Sequence, residues 1–358
     1  MEYVKLGNIA KFRYGKMPDK DKFLDDGYPV FSGYRITGYY SEYMVENPTL
    51  IVVARGVGGT GDVKISPPKS YITNLSIIVD LDESVADMRY LYYQFVCNNL
   101  RYLDTGAAQS QITINNLSKH KALLPRLVIQ KKISSILTTY DNLIENNNKR
   151  IKLLEQMAEN LYKEWFVRFR FPGYEKAEFE NGIPKGWNVE KIKKCVKRLP
   201  FNQLYKQKDL ENEGPVIVID QSSSDFLGFH NNKPSHNASI EKPIILFGDH
   251  SCKFVLMIRD FSLGENVIPF ITANENKFDN YYLYYAVHKL ISTEEYKRHW
   301  GRFTAMKIFV PQYQLQKSFS DIVKPMVEEK QKLWNKNQLL IKQRDMLLPR
   351  LMSGKLEV

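Results

Sequence analysis

The feature that most constrains the fold is a stretch of sequence that occurs twice, first from residue 125 and again from residue 311. Adding 186 to a residue number in the first copy gives its counterpart in the second. The letters PRLVIQKKI of the first copy correspond to PQYQLQKSF of the second, and the same offset aligns Leu161 with Leu347 without a gap. A helix would carry this match over about ten turns. Because each copy follows a block large enough for a domain, the chain is expected to alternate two modules with two long helices.

The apolar residues of the first copy recur at alternating steps of four and three, which is typical of a heptad seam on a rod roughly 50 Å long. Such a seam cannot be buried by one helix alone, so we expect the two copies to pair. Polar seam positions (Asn147, Lys330, Asn337 and Arg344) indicate either a selected register or local exposure to solvent. The remaining residues predicted to pair are Ile133, Leu137, Tyr140, Ile144, Ile151, Leu154, Leu161, Trp165, Phe319, Val323, Met326, Leu333, Leu340 and Leu347.

The organisation predicted along the chain is α+β. Short strand-like runs separated by glycine, proline and asparagine precede each helix, and prolines and glycines without periodicity mark a linker between the halves. The predicted segments are a first module at 1–125, a long helix at 126–170, a linker at 171–186, a second module at 187–311, and a second long helix with its tail at 312–358.

Composition narrows the class of protein. The chain is 43% hydrophobic and has no apolar run near the length of a membrane span or a secretion signal, so we expect it in the cytoplasm. Its three cysteines lack paired spacing, and we expect reduced thiols and no metal site. The net charge of +11 fits a polyanionic partner such as nucleic acid, although a simply basic surface is an equal alternative.

Motifs that resemble catalytic sites fail on context. The letters GVGGTG at 56–61 match a dinucleotide fingerprint, but prolines follow where a helix should begin, so a hairpin turn is predicted. The letters SPPK at 66–69 have the wrong flanking residues for an amino-methyltransferase motif. Asp19, Asp62 and Lys64 satisfy a permissive nuclease pattern that arises often by chance. We therefore predict no catalytic residues and no metal ligands in this chain.

Three pieces of the sequence carry a resemblance to a known family. They are QKKISSILTTYDNLIENNNKRIKLLEQMAENLYKEWF, its copy ending LLIKQRDMLLPRLMSGKLEV, and YPVFSGYRITGYYSEYM followed by ARGVGGTG. With the module order, they make nearly the whole chain similar to specificity subunits of type I restriction-modification systems.

This resemblance implies a non-catalytic subunit of a system for defence against phage. It implies two target-recognition domains, each reading one half of a split double-stranded DNA sequence, and long helices that pair as an antiparallel coiled coil with pseudo-two-fold symmetry and act as a spacer. The implied partners are two modification subunits that methylate adenine N6 with S-adenosylmethionine, and restriction subunits with motor and nuclease activity that use ATP and Mg²⁺. The implied location is the bacterial or archaeal cytoplasm. Since the two modules differ in sequence, we expect an asymmetric target.

Within this interpretation, side chains in loops are the candidates for DNA contact, because arginine reads guanine, glutamine reads adenine, and lysine neutralises phosphates. The candidates are Lys11, Arg13, Lys16, Arg35, Arg55, Gln109, Gln111 and Thr113 in the first module, and Lys206, Gln207, Gln221, Arg298, Arg302 and Thr304 in the second. The alternatives are a stand-alone nuclease or DNA methyltransferase, and a coiled-coil scaffold without a DNA role.

Overall fold

The computed structural model describes residues 1–56, 59–106, 110–201, 203–292 and 298–358 and divides them into two compact units. The first unit is Met1–Asn146 with Asn337–Val358, and the second is Asn147–Lys336. Each unit therefore combines one module with a part of both long helices. The sequential segments given above stay a prediction, because they divide the chain by order and the compact units divide it by contact.

In its described residues, the first module contains three small sheets and two short α-helices, followed by a long helix whose residues after Asn146 belong to the second unit. The sheets are β1 with β9, then β2-β8-β5-β6, then β4-β3-β7, in which β3 and β7 are parallel. The elements are β1 (Glu2–Lys5), β2 (Ala10–Tyr14), β3 (Tyr28–Phe31), β4 (Ile36–Tyr40), β5 (Leu50–Val53), β6 (Val63–Ile65), β7 (Tyr71–Ile72), β8 (Ser76–Leu81), α1 (Met88–Cys97), α2 (Ile114–Lys119), β9 (Lys121–Leu124) and α3 (Leu127–Tyr162).

The second module has the same three kinds of sheet. They are β12 with β20, then β13-β19-β16-β17, then β15-β14-β18, in which β14 and β18 are parallel. A small hairpin, β10 with β11, lies in the segment that the sequence predicts as a linker. The elements are β10 (Phe179–Glu180), β11 (Ile183–Pro184), β12 (Asn188–Lys191), α4 (Ile192–Cys195), β13 (Val196–Arg198), β14 (Val216–Ile219), β15 (Gly228–His230), β16 (Ile244–Gly248), β17 (Phe254–Met257), β18 (Phe261–Leu263), β19 (Val267–Thr272), α5 (Asn280–Val287), α6 (Trp300–Ala305), β20 (Lys307–Val310) and α7 (Tyr313–Met352).

The repeat seen in the helices extends to the whole module. The same offset of 186 relates the first residues of four pairs of elements, which are β1 and β12, α2 and α6, β9 and β20, and α3 and α7. The helices α1 and α5 begin at residues 88 and 280, an offset of 192. The equivalence also reaches side chains, since Tyr90 of α1 donates to the carbonyl of Leu123, and Tyr282 of α5 donates to that of Phe309. The predicted internal repeat and α+β architecture are confirmed.

Buried central strands form the cores of both modules. All residues of β5 and all residues of β16 are buried, as the unbroken apolar runs LIVV and IILF predict. In the first module, β5 and β6 are antiparallel neighbours, so the described residues of the glycine-rich motif, 56 and 59–61, lie in the predicted hairpin. Among the described residues, no helix is both long and apolar enough to cross a membrane.

In the first unit, α3 and α7 run antiparallel. Ile133 and Leu137 lie in one apolar cluster with Leu351 near the end of α7. Further along α3, Asp141 forms a 2.7 Å ion pair with Arg344. Positions thus rise along α3 as they fall along α7, which defines the direction of pairing.

The second unit shows the same direction. Glu155 pairs with Lys330 at 3.0 Å, and the ring centroids of Trp165 and Phe319 lie 6.2 Å apart. Every residue predicted to pair is buried or half-buried, and all lie on α3 or α7 apart from Trp165, which lies in the π-helical segment Lys163–Val167 that follows α3. Of the polar seam positions, Lys330 and Arg344 make ion pairs to α3 and the Asn337 amide lies 3.5 Å from the carbonyl of Ile144. These contacts favour a selected register over simple exposure.

Candidate nucleic-acid interface

Loops that are distant in sequence meet in the first module. We define the first loop cluster as residues 32–35, 54–56, 59–62 and 104–106 with 110–113. Arg55 forms an isolated antiparallel bridge with Gln111, and the amide of Ile112 donates to the carbonyl of Ala54 at 2.9 Å. The segment after α1 is thereby held against the end of β5.

Tyr34 fixes the turn between β3 and β4 onto the glycine-rich hairpin. Its hydroxyl donates to the carbonyl of Gly59 at 2.7 Å and lies 3.1 Å from a carboxylate oxygen of Asp62. Desolvation, and then the nearby Asp62 carboxylate, raises the pKa of Tyr34 to about 12, so the hydroxyl stays a donor at neutral pH. A Cβ on Gly59 would lie 1.5 Å from that hydroxyl, which explains the glycine. Lys64 lies over the ring at 5.5 Å.

Several predicted DNA contacts of the first module reach this cluster. Arg35 and Arg55 are exposed on it and Gln111 is half-buried beside Arg55. Lys16 is exposed nearby. Its backbone carbonyl accepts from the amide of Asn74, and the carbonyl of the next residue, Leu75, accepts from the amide of Arg55.

Two further candidates of this segment are placed differently. The hydroxyl of Thr113 caps α2 by accepting from the amide of Asn116 at 3.2 Å. Gln109 lies outside the described residues.

Lys11 and Arg13 lie elsewhere. Both project from the same face of β2 and line a cavity of about 660 Å³. The guanidinium of Arg13 donates to Asp80 at 2.9 Å. Carboxylates offset the cations of this cavity, which is also lined by Glu46, Asp80, Asp82 and Glu83. The structure therefore separates Lys11 and Arg13 from the first loop cluster.

The second module brings together an equivalent set of loops. We define the second loop cluster as residues 220–225, 248–253 and 298–300. Asp249 follows β16 and holds two segments of this cluster together, because one of its carboxylate oxygens accepts from the backbone amides of His299 at 3.1 Å and Trp300 at 2.8 Å. The other carboxylate oxygen lies 4.0 Å from Arg298, whose side chain is 83% exposed.

Gln221 and Lys253 hold the turn after β14 in this cluster. The side-chain oxygen of Gln221 accepts from the amide of His250 at 3.0 Å. The ammonium of Lys253 donates to the carbonyl of Ser222 at 2.9 Å and also to that of Ser224. Desolvation lowers the pKa of Lys253 from its usual value. Gln221 and Arg298, two predicted contacts, are thus both held at the turn after β16, Gln221 by His250 and Arg298 by Asp249.

The other candidates of the second module differ in accessibility. Lys206 is exposed and pairs with Glu265 at 3.6 Å, and Gln207 begins an exposed single turn of helix. Arg302 donates to the carbonyl of Ser292 at 2.9 Å. Thr304 is buried, and its hydroxyl donates to the carbonyl of Trp300 within α6 at 2.9 Å. Its helical position turns Thr304 inward, so it is not on the surface as expected of a DNA contact.

Sequence reasoning missed the residues that build the clusters, namely Tyr34, Asp249, His250 and Lys253. Asp249 and Lys253 flank the turn between the buried strand β16 and the half-buried strand β17, and charged residues in such a turn are the sequence signal that could have identified them. Of the nuclease candidates, Asp62 accepts from Tyr34, whereas Asp19 caps a turn at Asp21. In the part of the chain that the structure describes, no group of three or more histidine, cysteine or acidic residues could hold a metal ion.

Comparisons with known proteins agree with this architecture. Residues 1–156 match the family model of the type I restriction modification DNA specificity domain. The type I restriction enzyme MjaIX specificity subunit of Methanocaldococcus jannaschii is 25% identical over 313 residues, covering 75% of this chain and 69% of the relative. The HindI specificity subunit of Haemophilus influenzae is 41% identical over 59 residues, covering 16% of this chain and 13% of the relative.

A crystal structure of the type I restriction-modification system S subunit from M. genitalium has a similar fold. The TM-score is 0.69 at 17% sequence identity, and the alignment covers 98% of this chain and 95% of that one. The resemblance found in the sequence is thereby confirmed: residues 1–156 match the type I restriction modification DNA specificity domain family, and the chain is similar over most of its length to type I restriction-modification specificity subunits.

Proposed function

We propose that each loop cluster reads one half of a bipartite duplex DNA target and that the paired helices set the unread spacer. The observation that carries this proposal is that each loop cluster contains both an arginine and a glutamine: Arg55 is bridged to Gln111, and Arg298 and Gln221 contact neighbouring residues, Asp249 and His250, of one turn. Arginine pairs with guanine edges and glutamine with adenine edges in the major groove. Exposed loops carried by buried strands are suited to present such groups.

The two halves of the target differ in this proposal. The first cluster contains a glycine-rich hairpin with Tyr34 packed on it, whereas the second contains Asp249, His250 and Lys253 at the equivalent turn. Different donors and acceptors select different bases. An asymmetric target sequence follows from that difference.

The paired helices are proposed to dock two modification subunits. Leu153 and Leu339 support this, because the offset of the repeat makes them equivalent and their side chains are 58% and 62% exposed. Equivalent exposed leucines on two helices suit two copies of one partner. This chain would itself be non-catalytic: S-adenosylmethionine would be bound by the modification subunits, and ATP and Mg²⁺ by restriction subunits.

The test is methylation mapping with the complex of this chain and its modification subunits. Arg55→Ala should relax recognition of one half-sequence and Arg298→Ala of the other, since losing a bidentate contact costs about 1–3 kcal/mol, or roughly a tenfold loss of discrimination or more. Adenine methylation at every site should be read in cells that carry each variant.

Arg89→Ala, an exposed arginine on α1 outside the loop cluster, is the matched control and should leave both half-sequences unchanged. Methylation of the same sites without this chain, or both variants relaxing the same half, would contradict the proposal.

A further inference from the structure

Two buried glutamines occupy equivalent positions near the start of the long helices. Gln130 of α3 is 1% exposed and Gln316 of α7 is 0% exposed, and the offset of the repeat relates one to the other. A buried side-chain amide without partners would cost about 1–3 kcal/mol. Such residues persist where their hydrogen bonds are satisfied, so their partners identify what they hold.

Gln130 joins three backbone groups of the first module. Its side-chain oxygen accepts from the amide of Asp87 at 2.8 Å. Its nitrogen donates to the carbonyl of Pro125 at 2.8 Å and lies 3.3 Å from the carbonyl of Val85. Asp87 in turn caps α1 by accepting from the amide of Tyr90 at 2.8 Å.

Gln316 makes the same three contacts in the second module. Its oxygen accepts from the amide of Asp279 at 3.0 Å. Its nitrogen donates to the carbonyl of Pro311 at 2.8 Å and to that of Lys277 at 3.1 Å. Asp279 caps α5 by accepting from the amide of Tyr281 at 2.8 Å. Each glutamine thus ties the first turn of a short helix to the first turn of a long one.

All six of these contacts go to backbone groups of the partner residues. Backbone donors and acceptors remain when side chains change, so this connection survives the sequence divergence between the modules. A rod can define a distance between two modules only if neither module can tilt on it. The buried amide supplies a directional restraint at the point where each module meets its helix.

We propose that Gln130 and Gln316 are positioning residues that fix each module on its long helix and thereby set the single spacing at which the two half-sequences are read. This inference rests on the proposed function. Replacing either amide with an apolar group of similar length keeps the packing volume but removes the restraint. The module can then tilt, and targets with a longer or shorter spacer become readable.

The experiment uses Gln130→Met, Gln316→Met and the double variant, each in complex with the modification subunits. Methylation is measured on a set of duplexes whose spacer is native, one base pair longer or one base pair shorter. We expect the ratio of methylation at shifted spacers to methylation at the native spacer to rise several-fold in each single variant and further in the double variant. Gln314→Met, an exposed glutamine on α7, is the matched control.

The ratio separates positioning from stability. A variant that is only less stable loses methylation in proportion on all three duplexes, and an unchanged ratio overturns the inference. If a methionine variant does not assemble, Gln130→Asn keeps an amide but shortens it by one methylene, and it should raise the same ratio. Failure of the unmodified complex to methylate any bipartite target would instead refute the proposed function.

Discussion

The two units fasten a similar module to the long helices with different chemistry. In the first unit, the hydroxyl of Tyr93 on α1 donates to Asp141 of α3 at 2.5 Å, and Asp141 pairs with Arg344 of α7. In the second unit, the ring of Tyr285 on α5 packs against Tyr162 of α3 and against Phe319 of α7. A polar chain and an aromatic cluster thus perform the same task.

The helix positions explain why both solutions are possible. Under the offset of 186, Asp141 corresponds to Val327 and Arg344 to Ala158, and both apolar residues are buried in the core of the second unit. An ion pair in one copy therefore stands where the other copy has an apolar contact. What the repeat preserves is the position of the helices, while the side chains between them are free to change.

The largest effect is expected from opening the aromatic cluster. Phe319 is fully buried and its ring lies within 6.2 Å of the rings of Tyr162, Trp165, Phe166 and Tyr285. Phe319→Ala should lower the free energy of unfolding by about 3–5 kcal/mol, because it leaves a cavity among rings that cannot close. Denaturant unfolding measures the change, and Tyr313→Ala, a more exposed aromatic residue of α7, should change it little. A loss for Phe319→Ala as small as that control would contradict the central role of the cluster.

The second prediction replaces the ion pair of the first unit by the apolar residues that occupy the equivalent positions of the second unit. Asp141→Val alone should cost about 1–3 kcal/mol, since it leaves the Tyr93 hydroxyl without its carboxylate acceptor and Arg344 with Asp345 as its remaining carboxylate. Adding Arg344→Ala should recover most of that loss, because an apolar pair can replace an ion pair of similar position. Chemical unfolding of both single variants and the double variant gives the coupling. If the losses of unfolding free energy in the two single variants simply add in the double variant, the residues around this pair do not tolerate an apolar replacement.

The smallest effect concerns Glu159 in the second unit, to which Lys289, in the turn after α5, donates and with which Lys163 forms an ion pair at 2.9 Å. Hydrogen bonds from these two lysines lower the pKa of Glu159 to about 2. A carboxyl group whose pKa is lower in the folded state stabilises above its unfolded value of about 4.3, and the gain is lost as pH falls towards 2.

Glu159→Gln should therefore cost about 1 kcal/mol or less at pH 7, since both lysines are well exposed, and much less near pH 2. Unfolding followed against pH tests this, with Glu180→Gln as an exposed control. A difference between Glu159→Gln and the unmodified protein that does not shrink at low pH would rule out the ion pair as its source.

The sequence predicted the helices well because their signal is local and periodic. The steps of four and three, and the offset that aligns Leu161 with Leu347, identified α3 and α7 and their repeat. The loop clusters could not be predicted in the same way. Tyr34 meets Asp62 and Arg55 meets Gln111 through strand pairing between distant segments, and no local pattern records such pairing.

The second module illustrates the same limit. Its middle has no recognisable sequence match to the first, although its sheets have the same order. Buried strands require only apolar residues of suitable shape, so their identities can change while the architecture stays. Thr304 has the hydroxyl chemistry expected of a DNA contact, but its burial depends on the face of α6 that it occupies.

Each module starts and ends in one two-stranded sheet, since Glu2 pairs with Leu124 in the first and Asn188 with Val310 in the second. A module is therefore a closed loop of chain whose two ends are clipped together at its base. The second module has more residues between β12 and α5 than the first has between β1 and α1. The offset returns to 186 by β20, so the two-stranded sheet at the base is unaffected. Residues can therefore be inserted into or deleted from the interior of a module without moving the long helix that follows it.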